Sequence, residues 1–304
     1  MINVGIIGTG SIGSVLLAFF KKNRFNIFSF EKNLTLRDEI EKKGIEIYYK
    51  KKIKIAPFKM LDGLKKIPYK DLNFLIISVK SYDLKTLLED LPKNAFDVPF
   101  VCVQNGFGIE EFFKKYKNKN IYRFVAHFAA YKNEKGKIFM NVMREKNYIG
   151  GNGDEKIGKL ISSSFRKVGF NTFYVKDIKK KIWEKAILNS ILNPLCATFK
   201  KNMNETLKIE GIQNIIKNIL IESIKVAEKE GIKLPLNFEK QAMNYIKNGG
   251  GHFPSMFYDL KRRKTEIDYL NGWISNLGKK HKISTPANDF ITFLIKNIDY
   301  DRDL

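Results

Sequence analysis

Apolar residues crowd the first stretch of the chain, Ile2 to Ile7, break at a run of glycines, and resume at helical spacing from Ser14 to Lys22. A short unbroken apolar run closed by glycine predicts a buried strand, and apolar positions recurring every three or four residues predict a helix. "FNIFSFE", Phe25 to Glu31, predicts a second strand, so the opening reads strand, glycine turn, helix, strand. "NFLIISV" (Asn73 to Val79) and "VPFVCV" (Val98 to Val103) are almost wholly apolar, as strands covered on both faces must be, and each precedes a helical segment. The sheet is therefore expected to be largely parallel. From Asn120 to Gly151 the pattern changes to antiparallel strands, with turns around Glu134 to Gly136 and Gly150 to Gly153, expected to extend one edge of that sheet.

After "NTFYV", Asn171 to Val175, the period becomes helical. Helices are predicted over Lys179 to Asn193, Ile209 to Glu230, Asn237 to Asn248, Ser255 to His281 and Pro286 to Asn297. Gly231, the triplet Gly249 to Gly251 and "STP" (Ser284 to Pro286) punctuate them. The predicted fold is α/β: an N-terminal Rossmann-type doubly wound sheet in a dinucleotide-binding domain, residues 1–176, then an all-helical C-terminal domain, residues 177–304.

The helix "KKIWEKAILNSILNPL" breaks its own pattern. Among Ile, Leu and Trp it carries Lys185, Asn189 and Asn193 at intervals of four, which places an ammonium and two amides in one slanted stripe. Buried polar groups without partners cost several kcal/mol. The stripe is expected to face either a ligand or an internal network.

Gly8, Gly10 and Gly13, directly after a strand and opening a helix, suit a pyrophosphate. The backbone can turn tightly and approach the phosphates, and the helix N-terminus faces them. Glu31 stands at the end of the second strand, where an acid grips a ribose 2′-hydroxyl and favours NAD. Lys32 and Arg37 follow, and a cation there would instead take the 2′-phosphate of NADP. Lys80 and Asn105 lie just past the carboxyl ends of predicted parallel strands, where open α/β sheets hold ligands.

The hydrophobic share of 44% and aromatic share of 13% fit a folded chain. The net charge of +23 raises nucleic acid or an acidic membrane as a partner. Its lysines are spread along the chain beside no nucleic-acid-binding motif, so solvated lysine faces are expected and no specific nucleic acid. No stretch reaches the roughly 20 uninterrupted apolar residues of a membrane helix, and no basic segment precedes the first apolar run as in a secretory leader. Cys102 and Cys196 sit apart in apolar runs, which points to a reduced cytoplasmic protein without a metal site.

"GTGSIG", "VKSYD" (Val79 to Asp83), "QNG" (Gln104 to Gly106), "WEKAILNSILNPL" (Trp183 to Leu195) and "SMFYDLKRRKTEIDYLNG" (Ser255 to Gly272) together resemble the ketopantoate reductase family over nearly the whole chain. The resemblance implies reduction of the ketone of ketopantoate to pantoate by NADPH, with the substrate in the cleft between a Rossmann domain and a helical domain. It implies that Lys185 is the catalytic lysine and Glu266 its partnering glutamate. Asn105, Asn189, Asn193 and Ser255 match substrate-binding positions, and Asn202 and Asn204 compete for one further asparagine. Gly8, Thr9, Gly10, Ser11, Ile12 and Gly13, with Lys32, Lys80, Asn105 and Glu266, match cofactor positions. The expected cofactor is NADP(H), with NAD(H) kept open by Glu31, and the expected assembly a monomer or homodimer.

The residues support that chemistry in their own right. Hydride arriving at a ketone carbon leaves negative charge on oxygen, which a fixed ammonium both stabilises and protonates. Asn189 and Asn193 would serve substrate hydroxyls. Glu266, on a distant predicted helix, would orient the lysine; Asp268 competes two positions away. Ser255 reads either as a helix cap or as a carboxylate contact. His127 reads as a sheet histidine without a part in the chemistry. Gly249 to Gly251 read as a hinge or an ordinary turn.

Overall fold

The computed structural model describes residues 1–116, 118, 120–133, 136–141, 146–248, 251, 253–260 and 263–298. The turn expected at Glu134 and the hinge expected at Gly249 and Gly250 lie outside them. Two compact units emerge, one comprising Met1–Gln104 with Ile109–Ile178, the other Asn105–Gly108 with Lys179–Leu304.

The first unit runs β1 (Asn3–Ile7), α1 (Ser11–Lys22), β2 (Asn26–Phe30), α2 (Leu34–Lys43), β3 (Ile45–Tyr49), β4 (Lys51–Ile55), β5 (Phe74–Ile77), α3 (Leu84–Asp90), β6 (Phe100–Cys102), β7 (Ile121–Val125), β8 (Ala129–Lys132), β9 (Ile138–Asn141), β10 (Asn147–Gly151), α4 (Glu155–Lys167) and β11 (Thr172–Tyr174). Among the described residues, seven strands form the main sheet in the order β11, β10, β7, β6, β5, β1, β2. All neighbours are parallel except β7 and β10. The chain leaves β1 toward β2 and later returns on β1's other side as β5. The strand order thus reverses at β1, and ligands of open sheets bind outside the carboxyl ends of strands at such a point.

The strands expected between Asn120 and Gly151 divide between two sheets. β7 and β10 join the main sheet, whereas β8 and β9 pair with β3 and β4 in a second sheet ordered β4, β3, β9, β8. "IEIYY" and "KKIKI" alternate apolar and polar residues, with Ile45, Ile47, Ile53 and Ile55 buried. That face needed a cover, and α1 supplies it. α1 touches strands of both sheets, and every residue from Gly13 to Phe20 is buried. A helix apolar all round is stable only when surrounded. Phe20, Phe165, Phe124 and Phe170 continue this core through edge and tilted ring contacts.

The second unit is helical: α5 (Ile178–Phe199), α6 (Met203–Thr206), α7 (Ile212–Lys229), α8 (Phe238–Lys247), α9 (Ser255–Leu260), α10 (Asn271–His281) and α11 (Pro286–Asn297). Three boundaries differ from expectation. α5 does not stop before Pro194 but continues through it to Phe199. The helix expected over Ser255 to His281 is interrupted, so Glu266 stands before a short 3-10 turn, Ile267–Tyr269, and not on a long helix. Met203–Thr206 form α6, whose N-cap Asn202 exchanges the bonds of a capping box with Glu205.

Candidate active site

In the first unit the glycine turn follows β1. Gly8 has φ +88°, a conformation open to glycine at little cost, and its carbonyl accepts from Ser78 Oγ at 2.6 Å. A Cβ on Gly13 would lie 2.1 Å from Gly8 O and 2.3 Å from Ser78 Oγ, so this glycine is required by the protein's own packing. Gly10 differs. It is exposed, and a Cβ there would meet no atom within 4 Å. No side chain caps the start of α1, where Gly10 is the N-cap residue. A helix N-terminus without a side-chain cap, behind an open glycine, is suited to an anion such as a pyrophosphate.

Glu31 does more in this turn than its position suggested. One carboxylate oxygen accepts from the Thr9 N–H at 2.6 Å and the Thr9 hydroxyl at 3.0 Å; the other accepts from the Asn33 N–H at 2.9 Å. Its side chain is buried and braces the glycine turn against the end of β2. Lys32 is exposed and pairs with Asp90 at 3.2 Å. Lys80 leads into the turn after β5, and Gln104 donates from Nε2 to Val79 O at 2.9 Å and Ile77 O at 3.1 Å, tying the ends of β5 and β6 together. Sequence reasoning did not single out Ser78. Its signal is a hydroxyl directly after a fully buried strand, where it must bond to backbone.

In the second unit α5 presents the stripe. Ile182, Trp183, Ile187 and Ile191 are buried around it; Lys185 and Asn189 are half-buried and Asn193 is buried. Lys185 Nζ donates to Asn105 Oδ1 at 2.8 Å, joining residues 80 positions apart. Asn105 is set by the segment after it. The Phe107 N–H bonds to Tyr269 O at 2.8 Å, and the Phe107 ring lies 4.5 Å from that of Trp183. Gly106 has φ +82°, and a Cβ there would come within 2.2 Å of Tyr269 O. Tyr269 is three residues past Glu266 and its N–H bonds to Glu266 O at 3.0 Å. The segment bearing the buried acid Glu266 thus clamps the segment bearing Asn105. Asp268 is exposed and pairs with Lys296 at 2.6 Å, leaving Glu266 as the buried carboxylate of this turn. Ser255 is the first residue of α9, half-buried, directly after Pro254. His127 donates its backbone N–H to Asn147 Oδ1 at 2.7 Å from the first unit's sheet.

Among the described residues no helix is long and apolar enough to cross a membrane, and no group of three or more His, Cys, Asp or Glu could hold a metal ion. Burial pushes the thiols of Cys102 and Cys196 up to about 12.

An open parallel sheet with a glycine turn at its switch point, followed by a helical unit carrying a lysine and asparagines on one stripe, defines a Rossmann-type oxidoreductase. The family described as ketopantoate reductase PanE/ApbA matches residues 4–153, and its C-terminal counterpart matches residues 177–299. The 2-dehydropantoate 2-reductase of Aquifex aeolicus is 32% identical over 305 residues, 96% of this chain and 95% of that protein. A D-mandelate dehydrogenase solved with NADH and anilino(oxo)acetate is 25% identical with a TM-score of 0.85, covering 97% of both chains. The 2-dehydropantoate 2-reductase of Geobacter metallireducens shares the fold at a TM-score of 0.87 and 19% identity, over 97% of this chain and 99% of that one. The chain belongs to the ketopantoate reductase family.

Proposed function

We propose that this protein reduces the 2-ketone of 2-dehydropantoate to pantoate, with NADPH as the preferred donor, the reaction that supplies pantoate for pantothenate. The observation that carries the reading is the 2.8 Å bond from Lys185 to Asn105 at the head of the polar stripe. In an apolar helix, only a ligand or a partner justifies a half-buried ammonium.

The glycine turn, from Gly8 to Gly13, and the start of α1 would hold the pyrophosphate. Lys32 would face the 2′-phosphate and exchange its exposed Asp90 partner for it. Glu31, bonded to Thr9 and Asn33, would hold the turn in shape. Lys80 is assigned to the same ligand. Bound dihydronicotinamide supplies the hydride. Lys185 stabilises the charge that gathers on the ketone oxygen and gives that oxygen its proton. Asn105 holds the lysine in place. Asn189, Asn193 and Ser255 bind the hydroxyl and carboxylate of the keto acid, and Glu266 helps orient substrate and lysine.

A second reading, reduction of another 2-keto acid, draws on the 25% identity to the D-mandelate dehydrogenase. Consumption of NADPH and of NADH, measured against 2-dehydropantoate, phenylglyoxylate and simple branched 2-keto acids, separates the two. The first requires the highest kcat/KM with 2-dehydropantoate and NADPH; a higher value for another keto acid favours the second, and no oxidation with any would overturn both.

A further inference from the structure

Pro194 lies inside α5, one residue past Asn193. Proline has no N–H, so the carbonyl four residues earlier, that of Ser190, loses its helical donor. An unpaired buried carbonyl is costly, and Ser190 is fully buried. The missing donor comes from another helix. Asn271, the first residue of α10 and itself fully buried, donates from Nδ2 to Ser190 O at 2.9 Å.

The direction of that amide is set from further away. Glu222 of α7 is buried and accepts from the N–H groups of Ala287 and Asn288 at 2.9 and 3.0 Å and from Asn288 Nδ2 at 2.8 Å. A carboxylate in this role only accepts, so it draws the Nδ2 end of Asn288 toward itself and leaves Oδ1 facing Asn271. Asn271 Nδ2 donates to that Oδ1 at 3.0 Å. Its two N–H groups are then directed to Asn288 and to Ser190. One ordered chain of bonds, from α7 through α11 and α10, ends on the α5 carbonyl that lies between Asn189 and Asn193 in sequence.

We infer that Asn271 is a positioning residue for the reduction: it replaces the donor that Pro194 removes and so holds the stripe of Lys185, Asn189 and Asn193 on one continuous helix. The kinetic part rests on the reductase reading above; the bond itself does not. A stripe displaced by even 1 Å can cost catalysis about a hundredfold.

The test is a double-mutant cycle of Asn271→Ala and Pro194→Ala in the full-length protein, read by Tm, by NADPH affinity, and by kcat and KM for the keto acid. Alanine at 194 restores an N–H to Ser190, so the two changes must couple. Asn271→Ala alone should lower kcat about tenfold or more and leave NADPH affinity within about twofold. In the Pro194→Ala background the same change should cost at least threefold less in kcat and lower Tm less. Equal costs in both backgrounds would overturn the inference, as would a lowered Tm with unchanged kcat. Should Asn271→Ala alone fail to fold, a folded double variant supports it and an unfolded one overturns it. If no keto acid is reduced, the reductase reading fails by itself, and the Tm cycle still decides whether Asn271 replaces the proline's donor.

Discussion

The glycine turn of the first unit and the polar stripe of the second are built in opposite ways. The turn is made of backbone. Its open part is a helix start without a side-chain cap, and the neighbouring side chains of Glu31 and Ser78 bond to its backbone. The stripe is made of side chains, and its foremost contact joins Lys185 to a residue 80 positions away. A backbone site tolerates almost any side chain that does not fill it, whereas a side-chain site fails with one substitution. Changes at the stripe should therefore act on kcat, and changes at the turn on cofactor binding or stability.

Lys185→Ala gives the largest expected effect, a loss of kcat of about a thousandfold with NADPH affinity within about threefold, since in the proposed reaction the ammonium would meet charge that develops only in the transition state. Steady-state kinetics with equilibrium cofactor titration checks it, and weakened cofactor binding of the same size would erase the division between the two regions. Asn105→Ala should lower kcat about ten- to a hundredfold by removing one of the lysine's bonds, a positioning loss.

Within the turn, the glycines should separate. Gly13→Ala forces a methyl onto Gly8 O and should cost about 1–3 kcal/mol of stability, seen as a lower Tm. Gly10→Ala meets nothing within 4 Å, so Tm should hold, and NADPH binding should weaken if, as proposed, the pyrophosphate approaches through that space. Glu31→Ala should weaken NADH and NADPH alike through the loosened turn, whereas Lys32→Ala should weaken NADPH alone; a selective loss of NADH in Glu31→Ala would return that acid to the ribose. The smallest effect concerns the thiols. With both pushed up to about 12 by burial, neither Cys102 nor Cys196 should react with a thiol reagent at pH 8 until the chain unfolds.

Much of this architecture is legible in the order of residues. The βαβ opening, the parallel strands, the helical second half and the spacing of Lys185, Asn189 and Asn193 all follow from periodicity and local turn chemistry. The misreadings share a cause. β3 and β4 are too polar on one face to stand out among lysines, and become strands because α1 covers the other face. Pro194 reads as a helix end because no local signal shows that Asn271 will supply the missing donor. At Glu31 the sequence leaves a ribose contact and a neighbouring 2′-phosphate site both open, and gives no sign of the bonds from Thr9 and Asn33 by which the acid braces the turn.

The sequence by itself determined the periods, the glycine turn and the polar stripe, since these depend on residues within a few turns of each other. Tertiary structure alone decided which partners the polar groups take: Glu31 on Thr9, Asn105 on Lys185, Asn271 on Ser190. A buried donor or acceptor must find a partner, and which one it finds depends on what the folded chain brings within about 3 Å, a distance that sequence separation does not encode.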